Sequence, residues 1–344
     1  ASESIDDADA TPLTREEATR LLAEPLPTEP AARYAALAQQ YRAALWLSQR
    51  ARVTDTLRQL AEAGRGRPGG EQWISRYLVA EFNWGSQGRA NEAGEAFMAD
   101  RTLSPETRAQ VALRMAYNAA QGNDRAILLR LWSTADSLAR EALQGAGQRN
   151  TRLAIDHLQV RSEVERYNGE LAESVATLRR AVGLARQYQQ GLRARGVAPG
   201  SSEASDAVGW VDGTLGMLVY ALVRHGRAAE AIEIARANLA EWRAGRLALA
   251  LGARWQYRLA TALVASQQHE AGLAAARESD QLLGRVGSDP SSHTRRLARQ
   301  EIVRALMGLR RWAEADEAYR QMLADMAGDP VARARAADTR LQAL

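Results

Sequence analysis

Apolar residues recur along most of the chain at spacings of three and four. The pattern is clearest between residues 208 and 242. There Leu215, Leu218, Leu222 and Val223 form one stripe, Ala231, Ile234, Ala235 and Leu239 form a second, and His225-Gly226-Arg227 separates them. That spacing marks one face of an α-helix, and so short a connection makes the two helices antiparallel neighbours. Such a pair cannot bury both stripes alone, so it needs further pairs beside it.

The same unit returns before and after. Helix pairs are predicted at 31–48 with 51–63, 71–86 with 90–100, 105–120 with 125–143, and Arg152–Tyr167 with Leu171–Tyr188. Beyond the 208–242 pair come Gly252–Ser266 with Glu270–Leu283 and Arg295–Leu309 with Ala313–Met326, about seven pairs in all. No stretch shows sustained period-2 alternation, so the expected class is all-α, a solenoid of repeated helical hairpins. Turn anchors fall at Gly88, Gly122, Gly169 and Gly226, with Gln267 and Arg310 in the equivalent places of the last two pairs. Glycine suits these positions because it takes positive φ at a helix C-terminus without steric cost. The expected divisions are a polar, largely disordered segment over 1–28, a first array over 29–190, a loop over 191–206 and a second array over 207–344. Within the first segment, Thr14 followed by Glu16 and Glu17 predicts a short helix over Arg15–Leu22. Pro330–Leu344 reads as a first helix without its partner, which predicts that the protein continues past it.

Composition sharpens this picture little. The 344 residues are 46% hydrophobic and 25% charged, an ordinary globular balance. The net charge of +4 rests entirely on arginine, since the chain contains no lysine. Arg alternates with Asp and Glu along most helices and no long basic run occurs, so a salt-bridged surface is expected and nucleic acid is not an expected partner. Cysteine is absent, which removes disulfides, thiolate metal sites and a cysteine nucleophile from this segment and fits cytosol and periplasm alike. No window holds 18 uninterrupted apolar residues, so no membrane-spanning segment is expected.

Several copies of the unit resemble tetratricopeptide repeats. Gly88, Ala93 and Phe97 with Pro105 match that family's turn glycine, small residue, aromatic and closing proline. Gly226, Ala231 and Ala235 match with a smaller final residue, and Trp312, Ala315 and Tyr319 with Pro330 make the best single copy. Ser174 and Gly272 stand where the family has alanine. The resemblance covers roughly 31–344 and implies a right-handed superhelix whose concave groove is lined by first helices. Its groove positions carry over to Asp156, Gln159, Glu163 and Arg166, to Met217, Tyr220 and Arg224, to Arg254, Tyr257 and Arg258, and to Gln300, Glu301 and Arg304.

No catalytic constellation is present. His157, His225, His269 and His293 lie in separate repeats without metal-ligand spacing, and there is no nucleophile elbow, phosphate loop or dinucleotide fingerprint. The Gly64–Gly70 stretch lacks both the strand and the Lys-Ser/Thr of a phosphate loop. No metal or other cofactor is expected, and no catalysis within this segment. The candidate binding residues are Tyr220, Arg224, Arg254, Tyr257, Arg258 and Arg304, since arginines interleaved with tyrosines suit an acidic peptide or a terminal carboxylate. The competing expectation is that these arginines pair with Asp and Glu on neighbouring helices. The expected function is a non-catalytic scaffold that binds a peptide or partner protein in its groove. An alternative, from the company such arrays keep, is the sensor segment of a longer enzyme bearing a caspase-like CHAT peptidase or a diguanylate cyclase domain. RNA binding, suggested only by the sequence pI of about 9.7, comes third.

Overall fold

The computed structural model describes residues 13–146 and 151–338, and every regular element among them is an α-helix. Helix α1 (Arg15–Ala23) leads into seven antiparallel pairs. These are α2 (Pro30–Trp46) with α3 (Arg50–Ala63), α4 (Gln72–Trp84) with α5 (Gln87–Ala99), α6 (Pro105–Gln121) with α7 (Arg125–Ala146), and α8 (Thr151–Tyr167) with α9 (Leu171–Ala194). Then come α10 (Ser202–Arg224) with α11 (Ala228–Arg243), α12 (Leu249–Ala265) with α13 (His269–Arg285), and α14 (His293–Gly308) with α15 (Trp312–Asp325). The short α16 (Pro330–Ala337) follows. The chain is a helical-repeat solenoid in which, from α4 to α14, each first helix packs on the next first helix.

Six of the seven pairs turn in the same way. A backbone N–H reaches the carbonyl five residues earlier, as in Arg227 to Leu222 (2.8 Å), Gln268 to Leu263 (2.9 Å) and Arg311 to Leu306 (2.9 Å). The residue before that donor is left-handed: Ser48, Asn123, Gly169, Gly226, Gln267 and Arg310 have φ between 53° and 84°. This closure satisfies carbonyls the helix end leaves open. At the third pair it is Asn123, not Gly122, that takes the positive φ. Gly88 is not a turn residue at all. The α4–α5 turn is Gly85-Ser86, and Gly88 lies in the first turn of α5.

Residues 13–28 are more structured than a disordered lead-in. Thr14 caps α1 through a reciprocal bond with Glu17, and Ala18 and Leu22 are buried in the main core. The part of that expectation covering residues 1–12 lies outside the described residues. The loop expected at 191–206 is shorter, because α9 runs on to Ala194 and α10 starts at Ser202. Val175, Leu178 and Val182 of α9 share one core with Leu215, Leu218 and Leu222 of α10, so packing is continuous across it. By length and composition α10 is the one described helix that could cross a membrane, but more than half of its apolar window is buried here. Trp312, which matched the repeat pattern, is exposed.

The array bends until its end meets its beginning. The main core joins Tyr34, Trp73 and Leu78 from the first pairs to Ala253, Leu283 and Ala298 from the last. Backbone bonds cross this seam from Arg50 N to Val286 O (2.8 Å) and from Asp289 N to Trp84 O (2.9 Å). Asp329, the N-cap of α16, accepts from Ser86 Oγ (2.6 Å) and from the Gly88 N–H (3.0 Å). Arg335 of α16 donates to Gln87 Oε1 (2.8 Å) and to the Asn118 carbonyl (2.9 Å). Burial works against the Asp329 carboxylate, yet Ser86, Gly88 and the amides of its own helix hold its pKa below the usual value.

Candidate functional site

Bending brings the first helices together around a cavity of about 350 Å³, lined from the C-terminal halves of α6, α8 and α10, the middle of α12 and most of the length of α14. All six candidate residues, Tyr220, Arg224, Arg254, Tyr257, Arg258 and Arg304, line it, together with Glu163, Arg166, Met217 and Gln300. Asp156, Gln159 and Glu301 do not: Gln159 is buried and donates to Thr214 Oγ1 (2.8 Å), and Glu301 is buried behind Arg304.

The floor of the cavity is a charge triad. Asp212 on α10 receives both terminal nitrogens of Arg258, at 2.8 and 3.1 Å, and lies 3.1 Å from Arg254. All three are buried or nearly so, with side-chain exposures of 4% for Asp212, 2% for Arg258 and 14% for Arg254. Burial alone would raise the Asp212 pKa, but Arg258 and Arg254 hold it below the ordinary aspartate value. The Arg258 guanidinium lies flat against α10 at Gly216, where any Cβ would stand 2.4 Å from its Cζ. Trp255 supports the same guanidinium at 4.5 Å from its ring centroid. Arg254 faces Trp84 at 5.6 Å, and Arg50 covers that ring at 4.6 Å. The expectation that these arginines pair with carboxylates therefore holds for three of them. Arg254 and Arg258 pair with a carboxylate on the neighbouring helix and still line the cavity, and Arg304 pairs with Glu301 on its own helix at 2.7 Å.

Arg224 stands apart. It is exposed at the cavity edge and has no hydrogen-bond or ion-pair partner among the described residues. Arg166 on α8 pairs with Glu163 at 2.5 Å. Tyr220 is only partly buried, but its hydroxyl is shut away without a hydrogen-bond partner, and burial raises its pKa.

Two contributors escaped the sequence reading, and both come from α14. Arg296 is buried, donates to Gln300 Oε1 (3.1 Å) and leaves its Nε unpartnered. Burial, then repulsion from Arg335, pushes its pKa down to about 9, which keeps it charged at neutral pH. His293 stacks on Phe82 with ring centroids 4.5 Å apart, and its Nδ1 lies 2.9 Å from an Arg296 nitrogen. Burial first, and then the Arg296 charge, lowers the His293 pKa well below 6.5, so the ring is neutral and accepts from Arg296. Six arginines thus line the cavity: Arg166, Arg224, Arg254, Arg258, Arg296 and Arg304. Glu163, Asp212 and Glu301 are the carboxylates that answer them, which leaves three positive charges over.

Such a surplus, enclosed by tyrosine and apolar side chains, can hold an anion with several charge-assisted hydrogen bonds. Among the described residues no group of three or more His, Asp or Glu is arranged to hold a metal. Fold and cavity together define an all-helical repeat protein with a basic cavity on its inner face. Among solved structures it is similar to NprR, described in complex with its cognate peptide NprX. The TM-score is 0.53 at 11% identity, over 89% of this chain and 83% of that one. In sequence, no family model and no curated protein matches the chain.

Proposed function

We propose that the chain is a repeat module of the tetratricopeptide kind, without catalysis of its own, that binds a short anionic peptide in its basic cavity. The observation that carries this reading is the convergence of arginines from α8, α10, α12 and α14 on one enclosed cavity with positive charge to spare. Arg254 and Arg258 are already half-neutralised by Asp212 and serve as a preorganised floor. Arg224 and Arg296 carry the unneutralised charge that an incoming carboxylate would meet. Met217, Val223 and Leu297 supply apolar wall for a neighbouring side chain. The NprR complex with NprX supports the reading, as a similar fold that holds a peptide.

Arg224 is the residue to test, because it supports no other side chain and its loss leaves the fold intact. Titration calorimetry with peptides ending in two glutamates should give binding that Arg224→Gln weakens about tenfold, the worth of one charge-assisted hydrogen bond. Affinity should also fall as salt is raised. Equal affinity for wild type and variant would remove Arg224 from the site, and no binding of acidic peptides would reject the reading.

A further inference from the structure

We propose that a second cavity, on the same inner wall, receives the amino-terminal end of the peptide whose acidic end occupies the first, so that the protein reads the peptide's direction. This rests on the peptide reading above and goes beyond it by fixing the ligand's polarity and length.

The second cavity, of about 450 Å³, lies among the N-terminal ends of α4, α6, α8 and α10. The two cavities share helices. On α6, Gln110 faces the second and Tyr117 the first; on α10, Trp210 faces the second and Met217 the first. Each couple is seven residues apart, two helical turns on one face, so the cavities are separated by roughly 10 Å along the wall. Between them on the sequence of the same helices stand Arg114 and Asp156. Burial shifts both, Arg114 downward and Asp156 upward, yet both keep partial contact with solvent.

Two features mark the second cavity as a binding site. Gln110 is 8% exposed and has no hydrogen-bond partner among the described residues, although its amide could make several bonds. The amide is open to the cavity's solvent, and a ligand backbone can take the place of that water. Beside it, Tyr188 and Trp210 form an aromatic pair with centroids 5.1 Å apart, a platform for a side chain.

Charge then sets direction. Arg67, Arg76 and Arg152 line the second cavity with Glu71, Glu106, Glu203 and Asp206, and Arg195 reaches Glu203 from beside it, so the charges balance. Asp206 is committed to Arg76 (2.7 Å) and Arg152 (3.7 Å), and Glu71 to Ser104 and Thr107. Glu203 accepts from the Tyr188 hydroxyl (2.6 Å) and lies 3.7 Å from Arg195, and with its side chain 47% exposed it keeps an oxygen for an incoming amine. The first cavity carries surplus positive charge and the second does not. A peptide with a free amine at one end and carboxylates at the other is complementary in one orientation and opposed in the other. An extended chain advances roughly 3.3 Å per residue, so the separation takes about three residues, and a peptide with one or two further residues in each cavity has about five to seven.

The test is calorimetry on the whole chain with the heptapeptide Gly-Ser-Ala-Leu-Ala-Glu-Glu, its N-acetylated form and its C-terminal tripeptide. Acetylation and truncation should each weaken binding about tenfold. Glu203→Gln and Gln110→Ala should weaken the free-amine peptide while leaving the acetylated one unchanged. If all three peptides bind equally, and Arg224→Gln still weakens them, the second cavity has no part in binding and the first keeps its peptide. If none binds, the peptide reading fails and this inference fails with it.

Discussion

At the scale of single residues, the molecule depends most on Asp212. It is the one charged side chain between Ala207 and Val223, and a lone charge in so apolar a stretch demands a partner. It has two, Arg254 and Arg258, both on the next first helix. Asp212→Asn would leave two buried guanidiniums unanswered, at a cost of about 3–5 kcal/mol, readable as a lower urea midpoint. The sign of the pH dependence follows from the lowered folded pKa. The contribution of Asp212 is complete above its unfolded pKa of about 4 and is lost as pH falls through its lower folded value. The variant should lack that acid-side loss; an unchanged acid profile would show the triad to be energetically idle. The candidate arginines and tyrosines were legible through the resemblance to tetratricopeptide repeats, whose groove positions carry over to them. Arg296 and His293 were not, since nothing near residue 293 in the sequence announces that Phe82 and Gln121 will lie against it.

At the scale of elements, the repeated turn is the best-determined feature. Six unlike sequences adopt one hydrogen-bonded closure, and only Gly169 and Gly226 supply glycine at its left-handed position. Ser48, Asn123, Gln267 and Arg310 take it because the packing of the two helices leaves the backbone no other route, which shows tertiary contacts overriding local preference. A Cβ at Gly226 would meet nothing within 4 Å, so Gly226→Ala isolates backbone strain from crowding. It should cost about 1 kcal/mol in thermal or chemical unfolding. A cost near zero would mean that the turn relaxes, as a turn with no further role can. The expected turn at Gly88 went astray for an instructive reason: the glycine of the α4–α5 connection is Gly85, and Gly88 instead gives its N–H to Asp329, from the far end of the chain.

At the scale of the whole molecule, the seam decides the shape of the site. Without the contacts of α14 and α16 on α4, α5 and α6, the inner face would be the open groove that repeat periodicity implies. With them it is enclosed, and α14 contributes Arg296 and His293 to the wall. Asp329→Ala removes the acceptor for Ser86 Oγ and the Gly88 N–H and the cap of α16 at once. A lost cap and two lost bonds to a charged group amount to roughly 2–4 kcal/mol. Hydrogen exchange should therefore quicken at Trp84–Gly88 and at α16 while α8–α11 keep their protection, and acidic peptides should bind more weakly. Uniform loss of protection across the chain would show that the seam belongs to one cooperative core and is no separate joint.

The sequence by itself determined the helices, their pairing and the inner-face stripe, because three-and-four periodicity and short turns act within a few dozen residues. Which arginines and tyrosines face inward came from the resemblance to tetratricopeptide repeats, and Asp156, Gln159 and Glu301, carried over with them, do not line the cavity. Only the tertiary structure decided that the stripe is wrapped into a cavity, which charges are cancelled there and which are left over. Those outcomes depend on contacts between residues more than 200 apart in sequence, such as Ser86 with Asp329 and Asn83 with Thr294. They follow from the small rotation between neighbouring pairs, accumulated over seven of them, and no local pattern records it.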